Sequence, residues 1–270
     1  MDPAAVSSRS LYVADGDHWI PTEFGRGPWD PNALHGGAVA AFLVRALERC
    51  EAPVAMRLAR VTVELLRPVT MDPMSVEVEV IRPGAKVGVL EATLTRVSDD
   101  TVVARARALR IRTADLDFGV PSDDEVPGFP DHDTELGAGQ PDGKPHIAFH
   151  TTAVQHRFAR GMFGVAGPAF DWIRLAVPVV PGEEPTGWQR AAAAADFGNG
   201  VSSAVPFDGK TLFINPDLTI HLWREPVGEW VGMDSRTFVS STGIGASDTA
   251  MWDLDGRIGR TNQSLLFDRM

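Results

Sequence analysis

Alternation of apolar and polar residues with a period of two runs through much of the chain. Val76-Glu77-Val78-Glu79-Val80 and the stretch from Val103 to Arg110 are clear examples. This period places one face of a strand against a core and the other in water, as in antiparallel sheets. It predicts strands over 57–68, 74–83, 86–98 and 101–113 in the first half, and near 148–158, 168–180, 211–225, 229–241, 244–254 and 258–267 in the second.

Two segments show a helical pattern instead. The run from Ala38 to Glu48 is apolar on most faces and consists of good helix formers, so we expect a helix surrounded by other elements. A second helix is predicted near 186–204, and Thr186 is suited to cap its N-terminus with its hydroxyl oxygen. Each half of the chain therefore predicts strands around one central helix.

The two halves also match each other in sequence. Thr62 to Val69 aligns with Thr219 to Val227, with Glu225 as an insertion, and Ser98 to Arg105 matches Asp253 to Arg260 at nearly the same shift. A repeat this long indicates duplicated domains, because solenoid repeats are much shorter. We predict an N-terminal domain over 1–113, a C-terminal domain over 148–270, and between them a linker over 114–147, polar and rich in Asp, Pro and Gly.

Composition narrows the classes of partner. The 270 residues are 44% hydrophobic, which is enough for a substantial core, and the net charge of -11 disfavours nucleic acid or an anionic membrane as the main partner. The single cysteine, Cys50, allows no disulfide within the chain. No secretory signal pattern and no apolar run of membrane-spanning length is found, so a cytoplasmic protein is expected.

The candidate catalytic and substrate-binding residues are divided between the two halves of the chain. His35-Gly36-Gly37 precedes the first predicted helix, and Asp196 lies in the second. Amides at a helix N-terminus have no partner within the helix and stabilise negative charge, and glycine leaves them unobstructed. A carboxylate can orient or deprotonate a water molecule. Neither half has both parts, so one composite site per chain is predicted.

The order of these features resembles the double-hotdog acyl-CoA thioesterases, including the TesB-like enzymes. The resemblance depends on the His-Gly-Gly helix start, the segment Ala194 to Gly200, the Thr-led strands and Thr261-Asn262-Gln263. It implies an α+β double hotdog, with two antiparallel sheets each wrapped around a long central helix and packed as a pseudo-dimer. It also implies hydrolysis of acyl-CoA thioesters without a metal or other cofactor, coenzyme A being part of the substrate.

The same resemblance suggests roles for particular residues. In related single-hotdog thioesterases an acid follows His-Gly-Gly by about nine residues, where this chain has Val44. TesB-type enzymes use an Asp, a Thr and a Gln, which Asp196 and Gln263 match. The third position has no Thr, so Asn215 or Asp217 would position the water. The predicted substrate-binding residues are His35, Gly36, Gly37 and Asn199, the last on the same helical face as Asp196.

Other interpretations of these residues are open at this point. Asp196 could cap a backbone or pair with an arginine, Gln263 and Asn215 could face solvent, and His146 with His150 has a spacing known from zinc sites but no third ligand nearby. The alternative functions are those of a hotdog hydratase or dehydratase and of a non-catalytic acyl-CoA-binding protein.

The candidate cations for the CoA phosphates are Arg60, Arg67 and Arg224. A homodimer or homotetramer is expected, because exposed edges or faces of a duplicated unit favour further pairing.

Overall fold

The computed structural model describes residues 9–116, 118–119, 125–136, 147–207 and 209–269. Three α-helices lie within these residues: α1 (Gly36–Glu48), α2 (Gly187–Ala195) and α3 (Gly198–Val201). The first-half strands are β1 (Tyr12–Asp15), β2 (His18–Pro21), β3 (Met56–Leu65), β4 (Met74–Arg82), β5 (Val87–Arg96) and β6 (Thr101–Arg112). Those of the second half are β7 (Val154–Arg160), β8 (Ala169–Leu175), β9 (Thr211–Ile214), β10 (Asp217–Leu222), β11 (Trp230–Val239), β12 (Ile244–Asp253) and β13 (Gly256–Arg269).

The described strands form one antiparallel sheet. Their order is β1-β2-β4-β5-β6-β3-β10-β13-β12-β11-β8-β7, with β9 beside β13. The two predicted sheets are joined into one, because β3 of the first half pairs with β10 of the second. The main predicted strands of both halves are confirmed, since their alternating side chains have a core on one side.

Corresponding residues of the two sequence repeats meet at the β3–β10 seam. Thr62 and Thr219, which the repeat aligns, are direct cross-strand partners, and the Thr219 hydroxyl donates to the Thr62 hydroxyl at 3.2 Å. On either side Val63 faces Leu218 and Val61 faces Ile220, all four buried. The repeat detected in the sequence is thus the contact that joins the two halves of the sheet.

Helix α1 lies in the interior, as its apolar pattern predicts. Every residue from Gly37 to Leu47 is buried, and the helix contacts β3, β4, β5, β6 and α2. Removing so much apolar surface from water stabilises the fold by about 25 cal/mol per Å². A helix in this place has no polar face, which explains the near absence of charge in its sequence.

Helix α2 is shorter than predicted. Thr186 caps its N-terminus as expected, accepting a hydrogen bond from the Gln189 amide at 3.1 Å. The helix ends at Ala195, however, and Asp196 is its C-cap, so the predicted helix over 186–204 is corrected to α2 followed by the short α3. Gly198 and Gly200, which lie in α3, are poor helix formers, so this helix stays short.

Two predicted strands in the second half are also modified. Phe149–Ala153 forms a π-helical turn rather than the start of a strand, and β7 begins only at Val154. The predicted strand over 211–225 divides at Asn215-Pro216 into β9 and β10. Proline has no amide hydrogen for a strand ladder, so a break is expected there.

Part of the predicted linker packs against the outer face of the sheet. The Trp172 indole donates to the Gly128 carbonyl at 3.0 Å, and the Phe129 ring packs edge-on against Trp172 and Trp230. The Arg157 guanidinium lies 4.8 Å from the centre of the Phe129 ring. These contacts fix residues 125–136 against strands β7, β8 and β11. No helix in the described residues has the length and apolar character needed to cross a membrane.

Candidate active site

The carboxylate of Asp196 lies where three parts of the chain converge. Its Oδ1 accepts hydrogen bonds from Asn215 Nδ2 at 2.6 Å and from Gln263 Nε2 at 3.2 Å. Its Oδ2 lies 2.9 Å from His35 Nδ1 at the start of α1. The side chain is only 5% exposed. Asp196, Asn215, Gln263 and His35, predicted from the sequence as site residues, are therefore brought together.

The helix start that contacts Asp196 is closely packed. A Cβ added to Gly36 would lie 2.7 Å from Asp196 Oδ2, and one added to Gly37 would lie 2.5 Å from the Ala193 carbonyl oxygen. Both glycines are thus required by the close approach of α1 and the end of α2. The N-terminus of α1 also favours the negative charge of the carboxylate beside it.

The His35 ring has two neighbours at one nitrogen. Nδ1 accepts a hydrogen bond from the Gly37 amide at 3.0 Å, and the same atom lies 2.9 Å from Asp196 Oδ2. A ring nitrogen has one lone pair or one proton, so it serves only one of these partners fully at a time. The pair is consequently arranged for a proton to lie between His35 and Asp196.

Gln263 and Asn199 form the outer part of the network. Gln263 Nε2 also donates to the Asp196 carbonyl at 3.1 Å, while its Oε1 accepts from the Asn199 amide at 2.9 Å. The prediction that Asn199 shares a helical face with Asp196 is wrong, because α2 ends at Ala195 and Asn199 belongs to α3. Asn199 is connected to Asp196 through Gln263, and its own buried Oδ1 has no hydrogen-bond partner among the described residues.

Asp217 lies apart from this network. Its Oδ1 accepts a hydrogen bond from the Ser264 amide at 2.7 Å, across the β10–β13 ladder, and no described contact joins it to Asp196.

The three arginines proposed for the CoA phosphates differ in their ion pairing and exposure. Arg224 is engaged in a two-pronged ion pair with Asp253, while Arg67 is exposed and Arg60 is half-buried.

Aromatic rings enclose the His35–Asp196 pair. Phe149 and Phe197 each lie 4.8 Å from the His35 ring, and His150 stacks on it at 6.5 Å. Burial lowers the pKa of His150 to about 4, with smaller effects from nearby His35 and His156. His150 is therefore neutral at physiological pH. His146, four residues before it at a spacing known from zinc sites, lies outside the described residues, and no cluster suited to a metal is found within them.

A second buried pair lies behind Phe197. His156 on β7 and Asp171 on β8 are 2% and 0% exposed, and His156 Nδ1 is 2.6 Å from Asp171 Oδ2. Burial raises the pKa of the Asp171 carboxyl, partly offset by His156. The sequence interpretation missed this pair. The available signal was an acid inside the apolar run Ala169-Phe170-Asp171-Trp172-Ile173, where a charge is costly unless paired.

The corresponding position in the first half holds a cation. When the sequences of α1 and α2 are aligned at their N-caps, His35 and Thr186, the counterpart of Asp196 is Arg45, one residue after Val44. Arg45 is buried, and its Nε and Nη2 each donate to Glu183 at 2.7 Å. The first half thus has neither an acid nor a free side chain at this position.

Both halves of the chain match family models for domains of acyl-CoA thioesterases. Residues 25–111 match the family model described as the acyl-CoA thioesterase N-terminal domain, and residues 123–267 match the one described as the acyl-CoA thioesterase C-terminal domain. No curated protein matches the chain.

Solved structures with the hotdog fold are similar over almost the whole chain. A conserved hotdog-fold protein of Alicyclobacillus acidocaldarius has a TM-score of 0.72 at 16% identity, covering 98% of both chains. An acyl-CoA thioesterase II, TesB2, of Mycobacterium marinum has a TM-score of 0.66 at 15% identity, covering 100% of this chain and 98% of the other. A tesB protein of Mycobacterium avium subspecies paratuberculosis has a TM-score of 0.65 at 15% identity, covering 98% and 97%. At these identities the likeness shows the fold.

Proposed function

Since the chain belongs to the acyl-CoA thioesterase family, we propose that it hydrolyses an acyl-CoA to the free acid and CoA by attack of a water molecule on the thioester carbonyl. The observation that supports this reaction most directly is the convergence of Asp196, His35 and the N-terminus of α1. The reaction as proposed uses no metal or prosthetic group.

Asp196 is the proposed base. Hydrogen bonds from Asn215 and Gln263 occupy Oδ1 and fix the plane of the carboxylate, which leaves Oδ2 to take a proton from water. A proton taken up at Oδ2 can form a hydrogen bond to His35 Nδ1, 2.9 Å away, once the Gly37 amide no longer occupies that nitrogen. In this scheme His35 acts together with Asp196, and Asn215 rather than Asp217 positions the carboxylate.

The carbonyl oxygen of the thioester would bind at the amide of Gly36. The Gly37 amide already donates to His35 Nδ1, and the Ala38 and Val39 amides donate to the His35 carbonyl. Among the described residues no partner is found for the Gly36 amide. A donor of this kind lowers the barrier by stabilising the oxyanion of the tetrahedral intermediate. Only one of the two predicted glycine amides is therefore assigned to the substrate.

We also propose that the two halves form a pseudo-dimer with one composite site. The pairing of Thr62 with Thr219 supports this, because equivalent residues face each other where a two-fold axis relates two copies. Arg45 at the counterpart of Asp196 supports the restriction to one site. A second site built from the start of α2 and this part of α1 would have no base.

The test is to measure the hydrolysis of short, medium and long acyl-CoAs by detecting the free thiol that is released. In Asp196→Asn we expect kcat to fall by about 10²- to 10⁴-fold, the usual contribution of a positioned base. Asp234→Asn is the matched control, because Asp234 is a partly exposed carboxylate on β11 that pairs with Arg160. Unchanged turnover in Asp196→Asn, with the control also active, contradicts the mechanism.

A further inference from the structure

A cavity of about 220 Å³ lies where the end of α1 approaches the start of α2, at the opposite end of this helix pair from Asp196. It opens to solvent beside Ala52 and Arg57, which are exposed. The volume is below that of most small-molecule pockets, so it suits a small ligand. Apolar side chains form much of the lining, namely Leu47, Met56, Leu58, Leu90 and Trp188.

This cavity is the counterpart of the proposed reaction centre when the two halves of the chain are exchanged. The sequence shift of the repeat aligns Leu58 with Asn215, and alignment of the two helices at their N-caps places Trp188 at the position of Gly37. Both Leu58 and Trp188 line the cavity. Because Arg45 stands at the position of the base, a ligand bound here would not be hydrolysed.

Arg110 on β6 brings a cation to this cavity. The inward-facing residues before it on the strand, Ala104, Ala106 and Ala108, are fully buried alanines. Arg110 itself is only 5% exposed, and no acid within the described part of the chain forms an ion pair with it. A charge buried at such a position is costly unless a partner compensates it, so this position favours an anionic ligand.

The guanidinium of Arg110 is fixed at the cavity wall through one of its nitrogens. Nη1 donates to the carbonyls of Glu51 at 2.9 Å and of Cys50 at 3.2 Å, and Cys50 is itself a lining residue. Nε is enclosed above Gly88, where an added Cβ would lie 2.9 Å from it. Nη2 has no partner in the described residues either, but it is not enclosed. Nη2 is therefore the donor that a ligand in the cavity can reach.

The two acids that line the cavity have partners other than Arg110. Glu48 accepts hydrogen bonds from the Thr and Gln side chains at the start of α2, each at 2.8 Å, and burial raises the pKa of its carboxyl. Glu225 forms an ion pair with Arg57 at 3.4 Å. Of the two arginines in the lining, Arg110 is consequently the one without an acid.

We propose that this cavity binds a short-chain free carboxylic acid as its carboxylate. The carboxylate accepts a hydrogen bond from Nη2 of Arg110, and the alkyl chain packs against the leucines and Trp188. A planar carboxylate matches a guanidinium, and an apolar lining favours a ligand with an alkyl part over an inorganic anion. The site goes beyond the proposed function and does not depend on it, because binding requires no turnover.

The test is isothermal titration calorimetry with sodium hexanoate, sodium butanoate, hexanamide and inorganic phosphate. Hexanoate should bind at least about tenfold more tightly than hexanamide, because hydrogen bonds between ionised groups are the stronger ones. Butanoate should bind more weakly than hexanoate, by about fourfold for each CH₂ group that the cavity buries. Equal affinity for hexanamide, or tighter binding of phosphate than of hexanoate, overturns the proposal.

Substitutions at the cavity locate the binding site. In Arg110→Gln the affinity for hexanoate should fall at least about tenfold. Arg112→Gln is the matched control, because Arg112 is an exposed arginine on the same strand, and it should bind hexanoate as the wild-type protein does. Should Arg110→Gln not fold, Ala52→Trp narrows the cavity at its exposed edge with Arg110 in place, and binding should fall likewise.

Binding of hexanoate at the reaction centre, where a product of hydrolysis would lie, is the competing outcome. Its affinity would then be unchanged in Arg110→Gln and in Ala52→Trp, and this result overturns the proposal even for an active thioesterase. Binding that both variants lose supports the site, whether or not any acyl-CoA releases thiol. Failure of the proposed function is thus distinguished from failure of this proposal.

Discussion

At the scale of single residues, the geometry of the site depends on the two side chains that donate hydrogen bonds to the Asp196 carboxylate. Asn215 and Gln263 come from the break between β9 and β10 and from β13, and both bond to the same oxygen of Asp196. The sequence left Asn215 and Asp217 as alternatives. They differ in the structure because Asp217 lies within a strand ladder, where its carboxylate accepts a hydrogen bond from the Ser264 amide. Asn215 lies in the interruption between β9 and β10.

The buried histidine beside the site predicts a pH dependence of stability. Burial lowers the pKa of His150 to about 4, whereas a histidine in an unfolded chain titrates near 6.5. Between these values the unfolded state binds the extra proton, so the free energy of unfolding should fall as pH decreases from about 6.5 to about 4. The loss attributable to His150 is at most about 3 kcal/mol.

Thermal unfolding followed by circular dichroism at pH 7, 5.5 and 4.5 measures this effect. The Tm of His150→Gln should decrease less than the Tm of the wild-type protein as the pH falls. His18→Gln, which replaces an exposed histidine, should follow the wild-type curve. Parallel curves for His150→Gln and wild type would contradict a neutral buried His150, whose titratable neighbours in this prediction are His35 and His156.

At the scale of secondary structure elements, the site is the junction of two helix ends. The N-terminus of α1 meets the C-terminus of α2, and glycine permits the approach at both Gly36 and Gly37. The opposite ends of the two helices also meet, but there the residues are structural. Glu48 accepts from Thr186 and Gln189, and Arg45 bonds to Glu183.

Gly36→Ala should therefore inactivate the enzyme without unfolding it. The added methyl group would lie 2.7 Å from Asp196 Oδ2, so the carboxylate must move away from His35 and the Gly36 amide. We expect kcat to fall at least tenfold, since displacements of about 1 Å at a reacting group cost up to 10²-fold. The measurement is thiol release from the best acyl-CoA of the series.

Gly200→Ala provides the control for this substitution. Nothing lies within 4 Å of the position of its Cβ, and it belongs to the short helix α3. Its activity and Tm should remain close to those of the wild-type protein, because isolated surface substitutions shift stability by no more than about 0.5 kcal/mol. Full activity in Gly36→Ala would mean that the carboxylate does not act from the observed position.

The elements themselves were largely predictable from the sequence. In long strands such as β5, β6 and β12 buried and less buried residues alternate over most of the length, and α1 is apolar on most faces, so local pattern was largely sufficient. The C-terminus of α2 was not predictable in the same way. Its alanine run favours continuation of the helix, and the break at Asp196 coincides with hydrogen bonds from the distant residues Asn215 and Gln263.

At the scale of the whole molecule, one continuous sheet joins the halves. Residues Asp217–His221 of β10 pair with Arg60–Glu64 of β3, and α1 packs against α2. The halves therefore share both a ladder and a core. We expect a single cooperative unfolding transition, with calorimetric and van't Hoff enthalpies equal and far-UV and tryptophan signals coincident.

Thr219→Pro should remove this coupling. Proline lacks the amide hydrogen and is not tolerated in a central strand, so we expect a loss of about 3 kcal/mol or more and separation into two transitions. Thr219→Val, which removes only the hydroxyl contact with Thr62, should keep one transition. Two transitions in the wild-type protein would contradict the shared core.

The sequence by itself determined the strand pattern, the apolar first helix, the duplication and the division of the candidate chemistry between the halves. These follow from local periodicity and from matching segments, which need no knowledge of distant contacts. Only the tertiary structure decided that Asn215 bonds to Asp196, that Arg45 is the counterpart of that acid, and that His156 pairs with Asp171. Each of these depends on strand register or helix packing between residues far apart in the chain, and a register change of one residue would turn the side chains to the opposite face.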